Sequence, residues 1–158
     1  AASDVYKRQG RYGLKAVLDI AMHDEASSVS SIAARQCISE NYLERLIAML
    51  KKAGIVNSLR GAQGGYVLAR PAEDISVGEV LRALEGDLNP VDCTEIDGSG
   101  DFCEGADTCI TKFVWKRISD SINQAVNNLM ISELARDGKH LIEEKGVDKN
   151  TSPVCNRR

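Results

Sequence analysis

A glycine-rich segment with an arginine near its centre constrains the fold of this chain more than any other stretch. Residues 54–70 read GIVNSLRGAQGGYVLAR. The runs at 55–56 and 66–68 contain β-branched, aromatic or large apolar residues, which are typical of paired strands. The glycines between these runs allow backbone angles that other residues rarely adopt. The segment therefore predicts a short β-hairpin with Arg60 at its tip.

The spacing of apolar residues predicts three helices before this hairpin. The first runs from about residue 10 to 23, and a second, capped by Ser30, ends near Cys37. Ser39 is expected to cap a third helix that stops at Gly54. Its buried stripe comprises Leu43, Leu46, Ile47 and Leu50. Helix, turn, helix and basic hairpin in this order indicate a winged helix-turn-helix, a fold that reads DNA.

Six residues are candidates for contact with DNA. A guanidinium at a hairpin tip, as at Arg60, can enter a narrow minor groove or bind phosphate, although it could also be a solvated turn residue. Glu44 could accept a hydrogen bond from a cytosine amino group, or pair with Arg45 within its helix. The full set is Ser39, Asn41, Tyr42 and Glu44 near the start of the third helix, with Arg60 and Gln63 on the hairpin.

The rest of the chain is expected to be helical, with one interruption. Ser76 can cap a fourth helix that Gly86 closes, which completes a DNA-binding domain over residues 10–86. A long helix is predicted over residues 110–136, followed by a flexible tail over 137–158. Apolar residues recur on this helix at the three- and four-residue spacing of a helix–helix seam: Val114, Ile118, Ile122, Ala125 and Leu129. This stripe could pack on its own domain, but a symmetric dimer is favoured.

Charge and composition narrow the function class. Through Arg70 there are 10 Lys/Arg against 6 Asp/Glu, whereas from Pro71 onward there are 10 against 17. The part that is predicted to bind DNA is therefore the basic part. No catalytic set, phosphate-binding glycine motif or membrane-spanning run is evident, so we expect a cytoplasmic protein that is not an enzyme. Residues 1–9 lack periodicity and are expected to be a disordered or non-native leader.

Cys93, Cys103 and Cys109 lie in an acidic segment without regular periodicity. Residues 85–107 include eight Asp/Glu and no Lys/Arg, so the segment 87–109 is expected to be a loop. Three thiolates in one loop suit a soft metal centre, and an iron–sulfur cluster, zinc, and reactive or incidental thiols all stay open on spacing alone. Acidic neighbours raise a thiol pKa, which counts against reactive free thiols.

Several motifs resemble the IscR-type winged-helix transcription regulators. They are GRYG at 10–13, SENYLE at 39–44, RGAQGGY at 60–66, ISVGE at 75–79 and the three cysteines ending in CITKFVW at 109–115. The resemblance covers about residues 10–135. It implies a homodimer with a crossed pair of long helices that binds an imperfect palindromic operator in double-stranded DNA. It also implies a 2Fe-2S cluster held by the three cysteines, which controls operator choice with help from Glu44.

The chain departs from this family pattern at one ligand position. Lys112 stands where IscR has a histidine, three residues after the last cysteine. An ammonium group has no lone pair for iron, so a fourth ligand must come from elsewhere, with Asp101, Glu104, Asp107 or water as candidates. The resemblance implies a regulator, expected to be a repressor, that senses iron–sulfur, redox or nitric oxide status. The alternatives are a cluster-free repressor controlled by a partner protein or thiol oxidation, and a small iron–sulfur carrier.

Overall fold

A computed structural model describes residues 2–91 and 108–148 of the chain. Six helices and one two-stranded antiparallel sheet are assigned in these ranges. In chain order they are α1 (Ala2–Met22), α2 (Val29–Gln36), α3 (Glu40–Lys52), β1 (Val56–Leu59), β2 (Gly65–Leu68), α4 (Val77–Glu85), α5 (Lys112–Asn127) and α6 (Ile131–Glu144), with a 3-10 turn at Ala72–Asp74. The predicted winged helix-turn-helix with a C-terminal helical part is confirmed.

The apolar stripes of the first four helices form the core. All four residues of the stripe predicted for α3 are at most 1 % exposed. They pack with Val17 of α1, Ile32 of α2 and Val80 of α4, each of which is fully buried. Since burial of each such side chain contributes about 1.5–3 kcal/mol, this stripe is a main source of stability in the DNA-binding part.

The hairpin has the predicted position and forms the wing. Its register runs from Val56 opposite Leu68 to Leu59 opposite Gly65. Ser27, in the segment between α1 and α2, extends this sheet, because its N–H and C=O both bond to Tyr66, at 3.1 and 2.8 Å. A side chain at Gly65 would come within 2.6 Å of the Ser27 carbonyl oxygen, so this close approach requires glycine.

Of two predictions about the residues that cap helices, one is confirmed and the other is wrong. Ser76 caps α4 in a full capping box, in which its Oγ accepts from the Glu79 N–H and Glu79 accepts from the Ser76 N–H. Ser30 does not cap α2, because the helix begins earlier. Ser28 is the N-cap and accepts from the Ser31 N–H at 3.1 Å. A run of serines offers several possible caps, and packing of the helix selects one of them.

The single long helix predicted over residues 110–136 is instead two helices. α5 ends at Asn127, and the chain then pairs with the start of α4 through the Val77 N–H to Leu129 C=O bond of 2.8 Å. The Ile131 N–H donates to the Ile75 C=O at 2.9 Å, after which α6 begins. Residues 137–144, expected to belong to a tail, continue α6 along α1. Residues 149–158 lie outside the described part.

The beginning of α1 also differs from the expectation. The prediction was a disordered or non-native leader; the backbone of residues 2–9 is helical and continuous with the rest of α1, so the disordered alternative is wrong for them. Further along, a side chain at Gly13 would lie 2.2 Å from Leu84 of α4, so this glycine lets the two helices approach closely. No helix in the described ranges is long and apolar enough to cross a membrane.

Candidate nucleic-acid interface and cysteine segment

The exposed face of α3 carries three of the predicted DNA-contact residues. Ser39 is the N-cap residue, but its side chain makes no capping hydrogen bond, and it is exposed. Asn41 and Glu44 are also exposed, on the side of α3 opposite its buried stripe. The start of α3 therefore presents a hydroxyl, an amide and a carboxylate, which are groups able to contact phosphates or base edges.

Tyr42 differs from the other predicted residues of α3 because its ring is packed. The ring is half-buried and meets Tyr12 of α1 edge to face, with ring centroids 6.0 Å apart. Burial raises the pKa of its hydroxyl, Glu85 and Tyr12 raise it further, and Arg8 lowers it. Tyr42 therefore joins α3 to α1, and a DNA contact by its hydroxyl stays a prediction.

The tip of the wing carries the other two predicted residues. Arg60 and Gln63 are exposed, and no carboxylate in the described ranges pairs with Arg60. The wing is attached to α3 by a hydrogen bond of 2.8 Å from Lys51 Nζ to Ser58 Oγ. Within its described part, the structure thus presents an unneutralised guanidinium on a hairpin that contacts the helix expected to lie in the major groove.

A buried polar network between α1 and α2 has no counterpart among the sequence predictions. Asp19 is 1 % exposed and accepts from Arg35 Nε at 3.1 and 3.0 Å, and from Gln36 Nε2 at 2.8 Å. Arg35 Nη2 also donates to Ser27 Oγ at 3.0 Å. The available signal was an aspartate between Leu18 and Ile20, since a carboxylate at a buried position of a helix requires partners.

Of the three predicted metal ligands, only Cys109 falls within the described residues. Its Sγ lies 3.2 Å from Thr111 Oγ1, just before α5. This hydrogen bond, the backbone N–H of Lys112 and the Lys112 charge lower the thiol pKa. The expectation that acidic neighbours raise the thiol pKa is therefore wrong for Cys109. Within residues 2–91 and 108–148, no group of three or more His, Cys, Asp or Glu side chains could hold a metal ion.

The other predicted ligands lie outside the described residues. They are Cys93 and Cys103, with the candidate fourth ligands Asp101, Glu104 and Asp107.

Cys37 occupies a strained position in the turn between α2 and α3. It is the C-cap of α2, with φ 57° and ψ 43°, a left-handed conformation that favours glycine. It is half-buried and disulfide-bonded. Cys109, the other cysteine within the described ranges, is a free thiol.

The two faces of α5 have different surroundings. On the inner face, Asn123 and Asn127 accept from Arg82 Nη2 of α4 at 2.8 and 2.7 Å, and buried Ser119 donates to Asn89 at 2.6 Å. The outer face includes Val114 and Ile118, which are 56 % and 38 % exposed. Among the remaining seam residues, Ile122 is half-buried, whereas Ala125 and Leu129 are exposed. Most of the predicted seam is therefore not covered by the described part of its own chain.

A helix-turn-helix followed by a wing with an exposed basic tip defines a winged-helix DNA-binding protein. The family model "Rrf2: Iron-dependent Transcriptional regulator" matches residues 6–137. The chain is 41 % identical to the HTH-type transcriptional regulator IscR of Escherichia coli over 131 residues, which are 82 % of this chain and 78 % of that protein.

Solved structures agree with this match. One is T. potens IscR, with 41 % identity and a TM-score of 0.68 over 84 % of this chain and 87 % of that one. Another is CymR, the global cysteine regulator of B. subtilis, with 35 % identity and a TM-score of 0.67 over 81 % and 93 %. The chain therefore belongs to the Rrf2 family. It is a transcriptional regulator rather than an enzyme, and the alternative of a small iron–sulfur carrier is wrong.

Proposed function

We propose that this protein is a cytoplasmic, homodimeric repressor that reads an imperfect palindrome and responds to iron–sulfur, redox or nitric oxide status. The start of α3 and the tip of the wing bind DNA through Ser39, Asn41, Tyr42, Glu44, Arg60 and Gln63. The observation that carries this proposal is the exposed guanidinium of Arg60, which no carboxylate of residues 2–91 and 108–148 pairs with, on a wing that contacts α3. A cation in this position favours DNA phosphate or a narrow minor groove.

The homodimer rests on the outer face of α5. Its apolar residues Val114 and Ile118 are exposed, while the inner face of the same helix is satisfied by polar contacts with α4. A second copy of the chain would cover this seam through a twofold contact of the same face. Two wings related by twofold symmetry match the two half-sites of a palindrome.

The cluster proposal rests on the chemistry of the donor set. Cys109 fits a ligand, because its lowered pKa favours the thiolate form that binds soft metals. Cys93, Cys103 and Cys109 would hold the group, which is 2Fe-2S by resemblance and supplies redox chemistry. Lys112 begins α5 three residues after Cys109. Its ammonium group has no lone pair for iron, so the fourth ligand would come from another residue or from water.

The position of the cysteine segment suggests how a signal reaches DNA. The segment connects α4 to α5, and these helices are held together by contacts of Arg82 with Asn123 and Asn127. A change in the segment would act on these contacts and so on the angle between α5 and the DNA-binding part. In a dimer joined through α5, that angle sets the spacing of the two wings.

Replacing Arg60 tests DNA binding. Arg60→Ala is expected to weaken specific binding by roughly 1–3 kcal/mol and to reduce the salt dependence by about one phosphate contact. The measurement is fluorescence anisotropy at several salt concentrations, using a duplex that wild type selects from a random-sequence library. Arg136→Ala, an exposed arginine on α6, is the matched control. Unchanged affinity for Arg60→Ala would make the wing a structural hairpin only.

Iron and sulfide content of anaerobically purified protein tests the cluster. Single serine variants of Cys93, Cys103 or Cys109 should lose colour and iron. Cys37→Ser and Cys155→Ser are the matched controls and should keep both. Lys112→His adds an imidazole at the family position and should slow loss of the cluster in air. Iron content that is unaffected by all three ligand variants, or a wild type that binds only zinc, would contradict the cluster.

A second candidate, a cluster-free repressor controlled by thiol oxidation, is favoured by the disulfide at Cys37. This residue lies in the turn directly before α3, so reduction of its disulfide could change how α3 is presented. For iron-free protein, this candidate predicts a DNA affinity that depends on a dithiol reductant in wild type but not in Cys37→Ser. The cluster proposal predicts no such dependence, so the same titration separates the two candidates.

A further inference from the structure

The buried network around Asp19 links three parts of the DNA-binding domain. Asp19 belongs to α1, and Arg35, at the end of α2, binds both of its carboxylate oxygens. The Nδ1 of His23 lies 2.7 Å from the Asp19 backbone oxygen and closes the end of α1. This geometry fixes the angle of α2 to α1, because a guanidinium that binds both oxygens of a carboxylate allows little rotation.

The same arginine also binds the segment between α1 and α2 that pairs with the wing. Its Nη2 donates to the Oγ of Ser27, which is 5 % exposed. The backbone of Ser27 in turn pairs with Tyr66 of β2 through two hydrogen bonds. One guanidinium therefore touches, directly or through Ser27, the helix α1, the helix-turn-helix and the inner strand of the wing.

We propose that Arg35, held by Asp19, is a positioning residue that sets the wing relative to α3 so that both contact DNA at once. This inference rests on the proposed DNA binding by Arg60 and α3. Arg35 itself is mostly buried, with 12 % of its side chain exposed, so it acts through Ser27 and Tyr66 rather than by touching DNA. A buried ion pair often contributes little net stability, whereas it can select one geometry.

A double-mutant cycle on DNA affinity tests this role, because it reads coupling rather than stability. The variants are Arg35→Lys, Arg60→Ala and both together, measured with the selected duplex at a temperature where melting curves show all of them folded. Lysine keeps the charge but lacks the planar fork of donors with which Arg35 spans the carboxylate and Ser27. Arg60→Ala should lower the DNA affinity roughly five- to 150-fold in the wild-type background. In the Arg35→Lys background the loss of DNA affinity on Arg60→Ala should be smaller by a factor of about three or more.

Two further variants keep the test decisive. Ser27→Ala removes only the hydroxyl that links Arg35 to the wing, and it should reduce the effect of Arg60→Ala in the same direction. It decides the question if Arg35→Lys does not fold. Arg70→Lys is the matched control, because Arg70 forms an exposed pair with Glu79 at 2.8 Å near the end of β2. It should leave the effect of Arg60→Ala unchanged.

The outcomes separate the inference from the function on which it rests. An equal loss on Arg60→Ala in the wild-type, Arg35→Lys and Ser27→Ala backgrounds would overturn the positioning role while leaving DNA binding intact. A wild type that selects no duplex, or one that is indifferent to Arg60→Ala, would refute wing-mediated DNA binding itself. Reduced losses in Arg35→Lys and Ser27→Ala, with none in Arg70→Lys, support the inference.

Discussion

Helices α3 and α5 carry similar apolar stripes, but the two stripes differ in how far they are buried. In α3 the stripe is at most 1 % exposed, whereas Val114 and Ile118 of α5 are 56 % and 38 % exposed. The α3 stripe is covered by α1, α2 and α4 of the same chain. The described part of one chain therefore completes the DNA-binding part but leaves one face of α5 uncovered. The difference predicts that the first region depends on intrachain packing and the second on a second copy.

Charge placed on the outer face of α5 should have the largest effect. Ile118→Glu combined with Ile122→Glu should give monomers, because four carboxylates would meet in one seam and each uncompensated buried charge costs about 3–5 kcal/mol. Sedimentation velocity over a range of protein concentrations measures the association. The matched control, Lys116→Glu with Asp120→Lys, reverses an exposed pair on the same helix and should leave the dimer intact.

A folded dimer in the Ile118→Glu, Ile122→Glu protein would assign this face of α5 to another role.

Truncation in the two stripes should sharpen the comparison. Leu46→Ala should lower the free energy of unfolding by about 2–5 kcal/mol, because it leaves a cavity in a core that is already closed. Val114→Ala should have a cost in the free energy of unfolding that increases with protein concentration, since the proposed dimer would bury that side chain. Urea denaturation at low and high protein concentration distinguishes the two. The proposed difference between α3 and α5 would be contradicted if both variants lost the same free energy of unfolding at low and at high protein concentration.

The smallest expected effect on the free energy of unfolding is that of replacing Glu79, the carboxylate in the capping box of α4. Hydrogen bonds from the Ser76 N–H and the Arg70 side chain hold the pKa of Glu79 below its usual value of 4.5. Ionised Glu79 therefore contributes stability above pH 4.5, and this contribution is lost as pH falls through its pKa in the folded state. Its side chain is 43 % exposed, so Glu79→Gln should cost less than about 1 kcal/mol at neutral pH.

Urea titrations of wild type and Glu79→Gln as pH is lowered check this sign. The difference in free energy of unfolding between the two proteins should shrink as pH falls, and a difference that grows would contradict the assigned role of Glu79.

Local signals were sufficient to predict most of the DNA-binding part. The stripe of α3, the wing glycines and the Ser76 cap each depend on neighbours within a few residues, and all appear as expected. The break between α5 and α6 was missed because it depends on pairing of Leu129 with Val77, far away in the sequence. The sequence pattern therefore predicts Ile131 and Ala135 of α6 as part of the long helix, and assigns to a tail the residues from 137 onward that continue α6.

The site was less predictable than the fold. Exposure of Asn41, Glu44 and Arg60 followed from their positions on predicted elements. The packing of Tyr42 on Tyr12 did not, because the ring contact joins two helices whose relative placement the sequence pattern leaves open. The Asp19–Arg35 pair could not be predicted either. A carboxylate in an apolar stripe shows that a hydrogen-bond donor is needed, but it does not show which residue supplies the donor.

Dependence of DNA affinity on iron tests the central claim most directly. Anaerobically purified protein would be titrated with the selected duplex at fixed salt, before and after chelation of its iron, beside a Cys109→Ser variant. The account predicts an affinity change of roughly five- to 150-fold on iron removal, and one unchanging affinity for the variant. A wild type whose affinity is the same with and without iron, or which carries none when made without oxygen, would contradict it.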